Sequence, residues 1–313
     1  MKMELADKIK AVSRMQEYIN NHIDEEITID DVTKTAGYSK YYAMRIFKEL
    51  TGRSIYETIR ALRLTKAAKT LQSVDEKVID VAMSYGYESH DGFTRAFFHQ
   101  FGLTPQKYHE EVPPIKWFIH YPIEDYYMLK EGMGMEPKPN ERVSRTVTVT
   151  VVERPARKLI FLRHNGNDYL SACEEVGCDW EGLLNSIPEK FDTAALGRLP
   201  KFLIKPNTNG QAFFVEVPLD YCKPIPEGYE IAELPPCTYL YFNGMPYEDP
   251  SDFPYAIKIV NEAVANYPFR QFGWEISDDA PFLGMGAEPK TGARAAVPVK
   301  RIIKAAEAFV SVG

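Results

Sequence analysis

Residues 37–52 read GYSKYYAMRIFKELTG, and residues 86–102 read GYESHDGFTRAFFHQFG. The Gly-Tyr pair recurs at an offset of 49, and Ser39, Arg45, Phe47 and Gly52 recur at an offset of 50 as Ser89, Arg95, Phe97 and Gly102. In each copy a glycine can supply the positive φ of a tight turn. A serine can cap the next helix, and a second glycine can end it. Short helices are expected just before, over Ile29–Thr35 and Val78–Ser84. A short helix, a glycine turn and a longer helix make a helix-turn-helix unit, and here there are two at matched spacing.

The flanking sequence supports the same reading. Ile9, Val12, Met15, Ile19 and Ile23 follow helical spacing. Thr28 can cap the helix that follows, with Asp30 and Asp31 in its first turn. SIYETIRALRLTKAAKTLQS, from Ser54, joins the two copies as one helix of strong helix formers. LTPQKYHEE then opens another, with Thr104 as cap and Pro105 at its first position.

The stretch VAMSYGYESHDGFTRAFFHQFGLTPQKY, from Val81, carries a resemblance: Ala82, Gly86-Tyr87, Ser89, Phe93, Arg95, Phe97, Phe98, Gly102, Thr104-Pro105 and Tyr108. Residues 5–110 resemble the DNA-binding domain of AraC/XylS-type transcription regulators. The family often has Lys where Phe98 stands, which puts one phosphate contact in doubt. Physically, a recognition helix fits the major groove, and two on one linker should meet one DNA face about 34 Å apart. In the first copy Lys40, Tyr41, Met44 and Arg45 form one stripe by helical spacing. Arg45 suits guanine, Tyr41 a thymine methyl or a phosphate, and Ser39, Lys40 and Lys48 suit backbone phosphates. In the second copy Ser89 caps and His90, Asp91, Thr94 and Arg95 form the matching stripe; Asp91 can accept from cytosine but repels phosphate. A pairing of Arg95 with Asp80 or Glu88 would instead brace the fold.

After residue 112 the helical period fails. Residues 113–142 mix aromatics with Pro and Gly and are expected to be a connector, with Trp117, Phe118 and Tyr121 packed rather than exposed. From Val143 the period becomes two. RTVTVTVVE reads as a half-buried strand, and KLIFLRH, KFLIK, AFFVEVPL, YEIAEL, TYLYFNG, GWEIS and AAVPVK as further strands. Helical patterns lie between them over about 169–186 and 254–267. ERPARKLIFLRHNG, from Glu153, is echoed by ELPPCTYLYFNG, from Glu233, at an offset of 80. The expected fold is therefore multidomain. An all-α double helix-turn-helix domain (1–112) is followed by an α+β tandem repeat with a central antiparallel sheet (143–313).

The stretch VEVPLDYCKPIPEGYEIAELPPCTYLYFNG, from Val215, makes about residues 143–303 similar to the gyrase-inhibitor-like effector-binding domain. That resemblance implies a cleft between the repeats for small molecules, often lipophilic cations, with a carboxylate amid aromatic rings. Aromatic faces and one desolvated carboxylate do hold such cations. Glu275, beside Trp274, is the candidate carboxylate and Glu216 the runner-up. The candidate aromatics are Trp180, Phe214, Tyr239, Tyr241, Tyr255 and Phe282.

Bulk properties narrow the classes. The chain has 313 residues, too many for one ordinary core. Residues 1–112 carry 16 Lys and Arg against 17 Asp and Glu, a net of −1; the remainder carries 21 against 27, a net of −6. Charge alone thus announces no nucleic-acid binder, and the second part favours cations over anions. The start MKMELADKIKAV lacks a signal-peptide pattern, and no apolar run reaches the roughly 18 residues of a membrane span. Cys173, Cys178, Cys222 and Cys237 form no C-x-x-C, so free thiols in a reducing cytoplasm are expected, with no metal and no cofactor.

These readings converge on a cytoplasmic, sequence-specific transcription regulator. It binds promoter or operator duplex DNA and senses a small, lipophilic or cationic ligand through its second domain. Two alternatives stand beside it. One is a hydrolase using Glu275 or Glu216 as general base, although no Ser-His-Asp set, G-x-S-x-G, phosphate loop or metal spacing is present. The other is an interaction module docking gyrase or RNA polymerase.

Overall fold

The computed structural model describes residues 2–73, 76–130, 143–249 and 252–302. By contacts the chain divides into two units. The first is residues 1–136 with 166–190 and 222–227; the second is 137–165, 191–221 and 228–313. The sequence-based boundary at 142/143 differs from this division, because 166–190 groups with the helical part.

The first unit is helical. Its elements are α1 (Lys2–His22), α2 (Ile29–Thr35), α3 (Lys40–Thr51), α4 (Ile55–Thr70), α5 (Val78–Ser84), α6 (His90–Phe101), α7 (Pro105–Glu111) and α8 (Ile123–Lys130), with α9 (Tyr169–Val176) and α10 (Trp180–Asn185) from the later segment. The expected stretch 169–186 is thus two helices, broken at Gly177, whose φ of 88° and ψ of 153° leave helical space. Three caps fall where the sequence puts them. Thr28 accepts from the Asp31 N–H, Ser54 and Glu57 form a capping box, and Thr104 accepts from the Lys107 N–H.

Two cores fill this unit. Val12, Met15, Ile19, Val32, Ile46, Phe47 and Ile55 form the first. Leu64, Ala68, Val81, Phe93, Phe97 and Tyr108 form the second. Of the connector, residues 113–122 have no regular secondary structure and residues 123–130 are helical, while 131–142 lie outside the described residues. The irregular piece is tied down: the Phe118 N–H donates to Thr65 Oγ1, the Ile115 N–H to Ser186 Oγ, and the Ile123 N–H to Gln16 Oε1. Trp117 packs against the second core and Ile123 joins the first.

The second unit is one antiparallel sheet. Among the described residues its strands are β1 (Val147–Arg154), β2 (Arg157–His164), β3 (Ala195–Arg198), β4 (Gln211–Pro218), β5 (Glu230–Leu234), β6 (Cys237–Gly244), β7 (Trp274–Ile276), β8 (Leu283–Glu288) and β9 (Gly292–Arg301). The order is β1-β6-β9-β8-β3-β4-β2-β5, with β7 on β9. Read from each edge, β1-β6-β9-β8 and β5-β2-β4-β3 follow one scheme. α11 (Phe253–Asn266) lays Tyr255, Ala256, Ile259 and Val260 into the core beside β6 and β9.

Three strand expectations change. KFLIK is not a strand: Lys201–Leu203 form a 3-10 turn after Pro200, whose ring fixes φ and removes a ladder donor. The strand within RTVTVTVVE is an edge, with Val149 and Val151 exposed, so its alternation did not bring half-burial. β3 and β8 are strands beyond those expected from the sequence. Gly197 is required there, since a Cβ would collide with the Phe282 carbonyl oxygen.

Candidate functional site

The helix-turn-helix units come first. Gly37 (φ 73°) and Gly86 (φ 80°) make the two turns, and Gly52 (φ 74°) and Gly102 (φ 77°) end α3 and α6. These are left-handed conformations that glycine adopts without strain. One brace escaped the sequence reading. Arg14 donates from Nε to Thr35 O and from Nη2 to Ala36 O, both at 2.8 Å, closing the end of α2. Forty-nine residues on, Arg63 donates from Nη2 to Glu25 O, and its guanidinium lies under Gly86. The offset of the glycines would have found this pair.

On α3 the side chains of Ala43, Ile46 and Phe47 are buried, leaving Lys40, Tyr41, Met44, Arg45 and Lys48 outside. Tyr41 is 85% exposed. Arg45 stacks over the Tyr42 ring at 4.9 Å, which holds the guanidinium at the surface in a set direction. Lys40 bonds Asp30 at 2.6 Å, and that bond raises its pKa above the ordinary lysine value. Its reach toward a phosphate therefore competes with Asp30. Ser39 holds the cap position but makes no side-chain cap bond, unlike the expectation. A groove of about 690 Å³ opens beside this helix, bordered by Met44, Arg45, Lys48, Ile55 and Tyr56.

On α6 Phe93 and Phe97 are buried, and His90, Asp91 and Arg95 are outside. Ser89 does cap, accepting from the Gly92 N–H at 3.2 Å. Thr94, expected on the open stripe, is half-buried, because the α6 face turns it partly toward the core. Arg95 pairs with neither Asp80 nor Glu88 among the described residues, which leaves its guanidinium available. Phe98 stands 55% exposed where α3 has Lys48.

The second candidate site departs from expectation. Glu275 points outward from β7 and pairs with Lys300 at 3.2 Å across the β7–β9 ladder. Its strand has Trp274 on the inner side, so the pleat sends the next residue to the opposite face. Glu216, on β4, is the buried carboxylate at 6% exposure. It is held by Arg157, which is fully buried at the start of β2 and donates to Glu216 Oε1 from Nε at 2.7 Å. The same guanidinium reaches Pro235 O, Cys237 Sγ and Tyr239 OH.

Arg154 adds a second positive charge. Its Nε lies 3.6 Å from Glu216 Oε2, and its guanidinium sits over the rings of Phe191 and Tyr241. Burial lowers the Arg157 pKa, but the Glu216 carboxylate outweighs this and holds it above the ordinary arginine value. Burial pushes Tyr241 up to about 12 against the pull of Arg154, and burial, then Glu216, raises Tyr239. The sequence reading missed both arginines. Period-two parity was the available signal: Arg157 shares its strand face with Leu159 and Phe161, which are core.

The remaining candidates scatter. Phe214, Tyr239 and Tyr241 share a core with Leu159 and Leu283. Trp274, Tyr255 and Phe282 belong to a different one, under α11. Trp180 is buried in α10 of the helical unit. The proposed set is thus not one aromatic cage. Among the described residues no group of three His, Cys, Asp or Glu could hold a metal, and no helix is long and apolar enough to cross a membrane.

Known proteins match the helical part. A helix-turn-helix domain family model covers residues 32–111. The regulatory protein SoxS of Salmonella typhimurium strain LT2 is 39% identical over 97 residues, which are 31% of this chain and 91% of that protein. The chain belongs to the AraC family of helix-turn-helix regulators. Another AraC-family match is the right origin-binding protein of Escherichia coli strain K12, 41% identical over 91 residues. Those residues are 29% of this chain and 32% of that protein, so the chain spans about a third of its length. A crystal structure of a transcriptional regulator with an AraC-type DNA-binding domain, from Chromobacterium violaceum, aligns at a TM-score of 0.31 and 22% identity, over 32% of this chain and 90% of that one.

Proposed function

We propose that the chain is a DNA-binding transcription regulator whose second unit senses a small molecule. The observation that carries the first half is the pair of matched helix-turn-helix units, each burying its apolar face and leaving a polar stripe outside. Arg45, Tyr41 and Met44 of α3, and Arg95, Asp91 and His90 of α6, are the side chains proposed to meet base edges. Lys40, Lys48, Ser39 and Ser89 serve backbone phosphates. Residues 113–142 connect this reader to a sensor within 143–313.

Two features support the sensing half: the echoed strand scheme of the sheet, which fits a tandem repeat, and the resemblance read from residues 215–244. The cationic-ligand reading is weaker in the structure. Both candidate carboxylates already have cationic partners, and displacing Arg157 would strand a fully buried charge.

Footprinting of the purified chain on the promoter regions of its own genome tests the DNA half. Protection of one face over two adjacent major grooves, with affinity falling as salt rises, is expected. Absence of any protected sequence would refute it.

A further inference from the structure

A pocket of about 410 Å³ lies in the second unit, away from the Glu216 network in residue content. The end of β3, the 3-10 turn after it and the loop that follows β7 border it. Its walls are tied by backbone bonds: the Lys201 N–H to Asp278 O at 3.0 Å, the Phe282 N–H to Arg198 O at 3.0 Å, and the Ser277 N–H to Pro298 O at 2.9 Å. These fix the opening before any ligand arrives. The volume falls in the range of small-molecule sites.

The chemistry of the lining is two-sided. Leu199, Ile204, Ala280, Phe282 and Pro298 give it an apolar floor, and Ile276, 57% exposed, offers one more apolar surface at the mouth. Arg198 and Lys201 stand at the rim, and among the described residues neither side chain has an ion pair or a hydrogen bond. The one carboxylate in the lining is Asp278; Asp279, next to it, is held by the Ser277 hydroxyl at 3.0 Å. Among the lining residues themselves, two cations face one carboxylate, in a part of the chain that is otherwise acidic.

We propose that this pocket binds a small amphipathic carboxylate, with the anion between Arg198 and Lys201 and the apolar body against Ile204, Ile276 and Phe282. An arginine grips a carboxylate by two parallel N–H bonds, and a lysine adds a mobile charge. The apolar floor supplies affinity and the rim supplies the sign of charge. This deepens the sensing half of the proposed function and rests on it for its biological meaning. The binding event itself does not depend on it.

Three naphthalene probes of one shape separate the possibilities: 2-naphthoate, 2-naphthylmethylammonium and 2-naphthylmethanol, titrated by calorimetry into the full chain. Naphthoate is expected to bind at least tenfold tighter than the ammonium, with the alcohol between them. The double variant Arg198→Gln/Lys201→Gln should lose at least tenfold for naphthoate and little for the alcohol. Both side chains are exposed and unpaired, so its unfolding midpoint should match the parent. Phe282→Ala should weaken naphthoate and the alcohol together. No naphthoate binding at millimolar concentration, equal or tighter ammonium binding, or full affinity in the double variant would each overturn the assignment. Naphthoate binding that leaves DNA affinity unchanged would overturn the sensing reading and leave the site standing.

Discussion

In α3 the buried face is Ala43, Ile46 and Phe47, while in α6 it is Phe93 and Phe97. Around Phe97 the second core is aromatic, with Phe93, Phe101 and Tyr108 at ring distances of 5.6, 4.7 and 5.7 Å. The first core is chiefly aliphatic. The outer faces differ more. Lys40, Arg45 and Lys48 in one become His90, Arg95 and Phe98 in the other. One backbone plan thus carries a more basic outer face and a less basic one. The difference teaches that the repeat is conserved within the chain for shape and has diverged in charge.

The largest expected effect tests the cores. Phe97→Ala should cost about 3–5 kcal/mol, since a fully buried ring would leave a cavity among packed rings. Denaturant unfolding checks it, and a loss below about 1 kcal/mol would mean the second core of the helical unit is loosely packed. Next comes binding. Arg45→Ala should cost about 1–3 kcal/mol of DNA affinity, and Arg95→Ala less, because Asp91 and Phe98 give its helix little attraction for phosphate. Mobility shifts on one operator fragment would settle the order, and the reverse order would refute the ranking.

A pH handle sits on the first unit. His120 Nε2 accepts from Gln16 Nε2, while its Nδ1 donates to Asn20 Oδ1, both partners being on α1. Gln16 Oε1 is taken by the Ile123 N–H, so a proton on Nε2 would face a donor. Burial lowers the His120 pKa from 6.5 to about 4. The unfolded chain therefore binds the proton first. Stability from this group is present above about pH 6.5 and is lost as pH falls toward 4, on the order of 2 kcal/mol. The slope of unfolding free energy against pH should flatten in His120→Gln; an unchanged slope would exclude the histidine as its source. The smallest effect compares the caps: Ser89→Ala should cost about 1 kcal/mol of stability and Ser39→Ala only a few tenths, since only Ser89 makes the cap bond. Equal losses would erase that asymmetry.

Much of the first unit was legible because local signals agree with the fold. Caps, glycine turns and 3.6-residue periodicity act within one or two turns of chain, and α2, α5 and α6 fall on their expected residues. The second unit was harder to read. β3 and β8 are held by close backbone approach at Gly197 and Gly284, a cause that involves partners some 85 residues away and leaves no local mark. The candidate ligand residues were the least legible. Glu275 and Glu216 look alike as residues within strands, yet one meets Lys300 at the surface and the other Arg157 in the interior.

The sequence by itself determined the doubled helix-turn-helix, its turns, its caps other than the one expected from Ser39, and the sign of its outer faces, because each depends on neighbours a few residues apart. Only the tertiary structure decided which carboxylate is buried, that two arginines neutralise it, and that Arg198, Lys201 and Phe282 border one pocket. Those outcomes depend on which strands pair and in what register, and a strand's period of two gives the face of a side chain but not the charge that waits opposite it.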